Sequence, residues 1–151
     1  AFQFYEEGET IDYVVETNLL PHSGWTIPAG HPNFEVNNTH EIEEDIFLLS
    51  MGPHMHYRGK SMRARVIYPD NTQEEIINIP NYNFGWQPTY RAEEPMLLPA
   101  GSRVVVEGAF DNSEFNQGVP DPTVAAKGGL QSWEGMFIGY FSYHDAAGGD
   151  D

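Results

Sequence analysis

The sequence contains no cysteine. A chain without thiols cannot build a disulfide framework, a thiolate zinc site, an iron–sulfur cluster, a cysteine nucleophile or a blue-copper centre. Any metal bound by its side chains must therefore be held by histidine, methionine, aspartate or glutamate. Phosphate loops, dinucleotide fingerprints and Gly-x-Ser-x-Gly elbows are also missing, so the common nucleotide-binding and hydrolase classes have no support.

Basic residues are scarce: 7 Lys and Arg stand against 23 Asp and Glu, which gives a formal net charge of −16. This charge repels phosphate backbones and anionic lipid, so we expect neither nucleic-acid nor membrane-surface binding. No run of about 18 apolar residues is present to cross a bilayer. The chain begins at Ala1 without a signal-like segment, which we interpret as a mature or excised fragment.

The hydrophobic pattern is typical of strands. Met62, Ala64 and Val66 alternate with other residues at period two, and the turn-forming segment 68–72 (YPDNT) separates them from a second apolar run at 75–79, so a hairpin is predicted here. Further strands are predicted at 11–16, 41–50, 103–110 and 136–143. Helical periodicity is rare.

The chain length and the distribution of proline and glycine predict the architecture. A chain of 151 residues corresponds to one domain, and its 11 Pro and 15 Gly lie between short strands, which is typical of an all-β, antiparallel β-sandwich or jelly roll. We expect residues 1–145 to form this single domain and 146–151 to be a disordered tail. The polar segment 111–122 is predicted to be a loop of side-chain-capped turns.

The segment 53–60 carries the sharpest candidate site. On a strand, residues two apart project from the same face, so His54 and His56 would offer two imidazoles as ligands for a metal. A third ligand would decide which metal binds. Met136 opens the last predicted strand after the glycine-rich stretch 128–135, although a methionine taken alone more often fills a core.

These segments resemble a known family. Pro-His-Met-His-Tyr-Arg-Gly-Lys at 53–60 is similar to the His-x-His-[aromatic or His]-x-Gly-Lys segment of the copper type II, ascorbate-dependent monooxygenases, the family of peptidylglycine α-hydroxylating and dopamine β-monooxygenases. Ser-Trp-Glu-Gly-Met at 132–136 is similar to the family's Ser-x-[Asp/Glu]-Glu-Met segment. Bacterial relatives also share the residues at 110–113, Asn116 and the Pro-Asp-Pro at 120–122. The resemblance covers about residues 26–143.

The resemblance implies a catalytic copper on His54, His56 and Met136. Imidazole binds copper in both oxidation states, and the soft thioether favours Cu(I), the state that reacts with dioxygen. In the family, a copper–oxygen species abstracts a hydrogen atom from a substrate C–H bond, with ascorbate or another reductant as the external electron source. An unknown small-molecule substrate, an electron-donor domain or protein, and a periplasmic or extracellular location are implied as well.

Some family features are replaced in this sequence. The family's upstream domain, with a three-histidine copper, has no counterpart here, so only the oxygen-binding half is expected. The peptide-hydroxylating member anchors its substrate with an Arg, an Asn and a Tyr, whose positions are Gly52, Ile138 and Tyr140 here. Only Tyr140 matches, so it is the predicted substrate-binding residue, and glycine-extended peptides are disfavoured. Gly135 replaces a family Glu directly before the methionine.

Alternatives to an oxygenase remain open at this stage. The chain could be a copper module for metal delivery, storage or electron transfer without hydroxylase activity, or a structural sandwich whose site has decayed. His22, His31, His40 and His144 are expected at the surface. If His31 or His144 folded next to the pair, a three-imidazole site would suit Cu(II) or Zn(II) instead.

Two further groups of residues have a simple structural interpretation. The basic residues Arg58, Lys60, Arg63 and Arg65 could steer an anion such as ascorbate, but alternation along a strand favours a solvated face that pairs with acidic neighbours. The aromatic residues of 82–90 and Trp133 are expected to fill the core rather than line a pocket; these are Tyr82, Phe84, Trp86, Tyr90 and Trp133.

Overall fold

The computed structural model describes residues 7–147, and within that range the chain forms ten strands and no helix. The strands are β1 (Glu16–His22), β2 (Thr26–Ile27), β3 (Phe34–Glu41), β4 (Ile46–Met55), β5 (Gly59–Ile67), β6 (Gln73–Ile79), β7 (Tyr90–Leu98), β8 (Arg103–Phe110), β9 (Ala126–Lys127) and β10 (Phe137–Asp145). No helix in this range is long and apolar enough to span a membrane.

The strands form two four-stranded sheets and one small ribbon. The first sheet has the order β1-β10-β4-β7, the second has the order β3-β8-β5-β6, and β2 pairs with β9. Every pairing between these strands is antiparallel. The predicted all-β, antiparallel sandwich class is therefore confirmed.

The core lies between the inner faces of the two sheets. Alternate residues of β4 and β10 point inwards, including Met51, Met55 and Phe137, and each is nearly inaccessible to solvent. The sheets approach closely where Gly139 faces Val106 and Gly108 faces Phe137, since a Cβ on either glycine would press into the opposing side chain. The remaining outward face of β4 and β10 is the surface on which the candidate site lies.

The predicted hairpin is confirmed. β5 and β6 pair antiparallel with Met62 opposite Ile79, and Met62, Ala64 and Val66 are all buried. The tight turn between them places Asn71 at a φ of 66°, a left-handed conformation that asparagine tolerates better than most residues. The capped turns predicted for 111–122 are also present, with side-chain acceptors at Asp111, Ser113, Asn116 and Asp121.

The strand predicted at 11–16 is wrong except for its last residue. β1 begins at Glu16, which pairs with Tyr143, and β10 ends two residues later at Asp145. Residues 11–13 therefore lie beyond the last residue of β10, whatever their β propensity. The predicted strand at 41–50 spans the break between β3 and β4, where the acidic residues 43–45 carry the chain from one sheet to the other.

Four strands were not predicted: the two-residue strands β2 and β9, and the longer strands β3 and β7. The longer two are edge strands, and both are polar, because an edge strand whose outer face meets water needs few apolar side chains. At the C-terminus, β10 ends at Asp145, the last residue of the predicted domain. Residues 148–151 of the predicted tail, and residues 1–6 of the predicted domain, lie outside the described residues.

Candidate metal centre

The two histidines of segment 53–60 lie where β4 ends. Met55, between them, points into the core and is 0% exposed. His54 projects from the outer face opposite Ile138 of β10, and His56 follows the strand and is 5% exposed. Their rings lie 5.2 Å apart, centroid to centroid, and almost perpendicular. The two imidazoles are therefore adjacent, as expected, although His56 lies just past the end of the strand on which the prediction placed both.

Met136 joins this pair through the pairing of β10 with β4. Phe137 lies opposite Met55, and Ile138 lies opposite His54, so the residue just before β10 reaches the end of β4. The sulfur of Met136 is 3.1 Å from Nε2 of His54, although the two residues are 82 positions apart. The fold therefore brings His54, His56 and Met136 together.

The side-chain amide of Gln87 determines which nitrogen of His54 is free. Its Nε2 donates to the Phe84 carbonyl at 2.6 Å, so its Oε1 is the atom that faces Nδ1 of His54, also at 2.6 Å. Because a carbonyl oxygen only accepts, the His54 proton resides on Nδ1 and the lone pair on Nε2. That lone pair points towards the sulfur of Met136.

A main-chain carbonyl selects the same tautomer for His56. Its Nδ1 donates to the Glu134 carbonyl at 3.3 Å, which leaves Nε2 as the free nitrogen. Burial lowers the pKa of the His56 imidazole, and the adjacent His54 lowers it further, against the opposing effect of the Glu134 and Gln131 carbonyls. A lowered pKa favours the neutral ring, which is the form that binds a metal.

Tyr82 fixes the backbone between the two histidines. Its phenol accepts from the Met55 amide at 2.8 Å and donates to the Met55 carbonyl at 3.0 Å. These two bonds replace the ladder bonds of a neighbouring strand at the end of β4. Burial raises the pKa of the Tyr82 phenol to about 12, so the hydroxyl remains protonated and able to donate across the physiological range.

The loop before Met136 is shaped by close packing. The buried Gly135 lies against the indole of Trp25, so a Cβ at this position would overlap the ring. Its amide donates to the Lys127 carbonyl, and its carbonyl accepts from the Gly129 amide, both at 2.8 Å. The glycine that replaces a family Glu is therefore required by this packing.

The donor set that results has two imidazole nitrogens and one thioether. Thioether and imidazole suit copper, and the thioether favours Cu(I). Within residues 7–147, no group of three or more His, Asp or Glu side chains is placed to hold a metal. The residues present fit copper.

Three of the other histidines, His31, His40 and His144, have contacts of their own. His144 stacks on Tyr13 with centroids 4.2 Å apart and lies six residues along β10 from Ile138, about 20 Å away. His31 accepts from the Asn33 amide and packs against Phe34, and His40 bonds to Asn18. Within the described residues no group of three such side chains is placed to hold a metal, so the three-imidazole alternative is not formed there.

The positions expected to bind substrate lie beside His54 on the same face. Tyr140 is opposite Gly52, and Ile138 is opposite His54. The ring of Tyr140 occupies the space above Gly52 that a Cβ would need, and its hydroxyl is 3.4 Å from Oγ1 of Thr89. The surface next to the donor set thus carries a phenol and an aliphatic side chain, with no arginine at position 52.

The four clustered basic residues do not form a common anion site. Arg63 and Arg65 bond to the Glu107 carboxylate at 2.7 and 3.2 Å, as the solvated-face interpretation predicts. Lys60 donates to the Pro32 carbonyl and to Oδ1 of Asn33. Arg58 points into the protein and is buried.

The prediction that the aromatic residues fill the core is wrong for three of them. Trp86 is 72% exposed, Trp133 is 58% exposed and Tyr90 is also exposed. Each lies on a loop or edge strand at the surface. Tyr82 does pack against the core, and Phe84 packs on the rings of His56 and Tyr57.

Gln87 is the residue at this site that sequence reasoning missed. Nothing in the sequence around it marks a histidine partner, because it lies 33 residues from His54 in a loop.

Neither a scan against protein-family models nor a search of curated proteins returned a match for this chain.

Proposed function

We propose that this domain binds one copper ion through His54, His56 and Met136 and activates dioxygen as part of a copper monooxygenase. The observation that carries the proposal is the convergence of the Met136 sulfur on Nε2 of His54, 3.1 Å away, beside a second imidazole. Two independent hydrogen bonds orient the free nitrogens of both rings. The resemblance of segments 53–60 and 132–136 to the copper type II monooxygenases supports the same ligand set.

The chain's own residues would prepare the site before the metal arrives. Gln87 holds His54 as the Nδ1–H tautomer, and the Glu134 carbonyl does the same for His56. Tyr82 fixes the backbone from which both project. Bound there, copper would supply one-electron chemistry and a coordination position for dioxygen. Three protein ligands leave that position free.

The substrate would bind on the outer face beside His54. Tyr140 and Ile138 border this position, and Tyr140 is the one residue that matches the family's substrate anchor. Ile138 and Gly52 provide no group that could bind a carboxylate, so the proposed substrate is a small molecule other than a glycine-extended peptide. Electrons would come from ascorbate or another reductant, through a separate domain or protein, in a periplasmic or extracellular compartment.

Reaction of the reduced protein with dioxygen tests this proposal. Protein loaded with one equivalent of Cu(I) under anaerobic conditions is mixed with air-saturated buffer, and the appearance of a mononuclear Cu(II) signal is followed by electron paramagnetic resonance. We expect tight binding of one copper per chain and full oxidation. His54→Ala, carried through the same loading and washing, should retain no copper, which controls for adventitious metal.

The rival function is copper delivery or storage, which the exposed position of the ligand loop favours, since Trp133 is 58% exposed. A delivery module would keep Cu(I) unoxidised in air and release it to an acceptor. Persistent Cu(I) in the native protein would therefore favour the rival. Failure to bind copper would contradict both functions and leave a structural sandwich.

A further inference from the structure

Arg58 is a buried cation next to the candidate metal centre. It is 3% exposed, and within residues 7–147 no carboxylate oxygen lies within ion-pair distance of its guanidinium. Burial lowers the pKa of this guanidinium, and only the more distant Asp121 carboxylate opposes the effect. A buried charge is unfavourable unless its hydrogen bonds compensate. The partners of Arg58 therefore indicate what the charge stabilises.

The partners of Arg58 lie on both sides of the site. Its Nε donates to Oδ1 of Asn112 at 2.7 Å, and Nη1 donates to the carbonyl of Trp133. Asn112 is fully buried, and its Nδ2 donates to the carbonyls of Pro28 and Val124 at 3.0 and 2.9 Å. Asn112 is thus tied to two other segments of the framework. Arg58 links that framework to the loop that ends at Met136.

Three consecutive residues contact this loop in the same way. The His56 ring donates to the Glu134 carbonyl, the Tyr57 amide to the Ser132 carbonyl at 3.4 Å, and the Arg58 side chain to the Trp133 carbonyl. The segment that carries the two histidines therefore holds the segment that carries the methionine. Of the three donors, only Arg58 is charged, and hydrogen bonds from charged donors are the stronger ones.

We propose that Arg58 is a positioning residue for the metal centre: its guanidinium holds residues 132–136 where the sulfur of Met136 meets the two imidazoles. The inference rests on the proposed copper site, and it concerns the thioether ligand alone. Removing the guanidinium leaves His54 oriented by Gln87. His56 would lose its bond to the Glu134 carbonyl together with the loop, but it stays beside His54 because Tyr82 still holds the backbone at Met55. Loss of Arg58 should therefore release Met136 and spare the nitrogen ligands.

The first test uses the metal-free protein. Amide hydrogen exchange is compared between the native chain and Arg58→Leu at Glu134 and Gly135, whose amides bond to the Gln131 and Lys127 carbonyls. We expect exchange of these two amides to become at least about tenfold faster, with amides of β5 and β8 unchanged. Equal acceleration throughout the chain would mean a general structural role, and no acceleration would mean no role; either result overturns the proposal.

The second test identifies the atoms bound to copper, by X-ray absorption of the Cu(I)-loaded proteins. We expect a sulfur scatterer in the native protein, its loss in Arg58→Leu, and two nitrogen scatterers in both. Arg58→Lys, which keeps one cationic donor, should restore part of the sulfur signal. Lys60→Leu is the matched control, because Lys60 contacts Pro32 and Asn33 and not the loop; it should keep the signal in full.

The outcomes separate the two proposals. Sulfur retained at native strength in Arg58→Leu overturns the positioning role and leaves the copper site intact. Sulfur absent from the native protein overturns the proposed ligand set, whereas the exchange test on the metal-free protein still decides whether Arg58 holds the loop. If Arg58→Leu does not fold, Arg58→Lys carries both tests, with faster exchange at Glu134 and a weaker sulfur signal as the expected results.

Discussion

The two sheets use their outward polar side chains in opposite ways. On the second sheet, Arg63 and Arg65 of β5 bond to the Glu107 carboxylate on the neighbouring strand, so these three charged groups are paired. At the end of β4 in the first sheet, Nδ1 of each histidine ring is hydrogen-bonded, while Nε2 of His54 faces the sulfur of Met136.

This contrast distinguishes a structural cluster from a candidate site. A donor and an acceptor that satisfy each other stabilise a surface and need no ligand. Two lone-pair nitrogens beside a thioether have no such complementarity, because all three atoms accept. A cation satisfies them together. We therefore interpret the three converging acceptors at the end of β4 as a candidate site. The paired charges of the second sheet are interpreted as structural.

The largest effect is expected when one of the three acceptor atoms at the end of β4 is removed. We expect His54→Ala to weaken Cu(I) binding by more than about 100-fold, a larger effect than removal of any residue that only orients a ligand. Competition with a chromophoric Cu(I) chelator measures the affinity. His144→Ala, about 20 Å along β10, is the matched control. Equal affinities for the two variants would contradict the site.

Gly135→Ala tests whether the loop before Met136 has room for a side chain at position 135. The added methyl group meets the indole of Trp25, so we expect a loss of about 1–3 kcal/mol in the free energy of unfolding. Gly128→Ala is the control, since its nearest atoms lie at ordinary contact distance, 3.9 Å. Urea denaturation of both proteins measures the difference. A native free energy of unfolding in Gly135→Ala would show that Trp25 does not restrict this position.

Gln87 distinguishes an oriented site from a chance cluster. Gln87→Ala removes the acceptor for Nδ1 of His54, so the ring can rotate or change tautomer, and we expect about 10- to 100-fold weaker Cu(I) binding. Gln87→Glu keeps an acceptor at that position and should bind more tightly than Gln87→Ala. The same chelator competition measures both. Identical binding by both variants would mean that the hydrogen bond does not orient His54.

The smallest effect is expected on the second sheet. Burial acts to raise the pKa of the Glu107 carboxyl, but hydrogen bonds from Arg63 and Arg65 hold it below its ordinary value. A lowered carboxyl pKa adds stability above the unfolded-state value, and this stability is lost as the pH falls through that of the folded state. Glu107→Gln should therefore cost about 0.2–1 kcal/mol at neutral pH and show a weaker loss of stability on acidification.

The same variant separates the two regions. Because Glu107 lies on the second sheet and the donor set lies at the end of β4 in the first, Glu107→Gln should leave Cu(I) affinity unchanged. Urea denaturation at neutral and acid pH measures the stability, and chelator competition measures the affinity. A changed affinity would show that the paired charges and the metal centre are coupled.

Local patterns in the sequence predicted the elements that depend on neighbours in the chain. The period of two at 62–66 and the turn at 68–72 gave the β5–β6 hairpin, and the spacing of His54 and His56 gave two adjacent imidazoles. Each depends on a few consecutive residues. The edge strands β3 and β7 were missed because their pairing is decided by partners far along the chain.

The third member of the donor set required more than spacing. Met136 meets His54 only because β10 pairs with β4, and that pairing cannot be derived from a methionine 80 positions after His56; the resemblance to a family supplied it. The resemblance gave no indication of the contact between Gln87 and His54 or of the contact between Arg58 and the loop. Their positions follow from loops whose course is fixed by tertiary contacts, as with the exposed Trp86 that was expected in the core.

The claim that copper binds through His54, His56 and Met136 is tested by X-ray absorption of the Cu(I)-loaded protein, native and Met136→Ala. We expect one copper per chain, with two nitrogen scatterers and one sulfur scatterer in the native protein and loss of the sulfur alone in the variant. Copper bound by nitrogen or oxygen only, with a spectrum that the substitution leaves unchanged, would contradict the claim and make Met136 a packing residue.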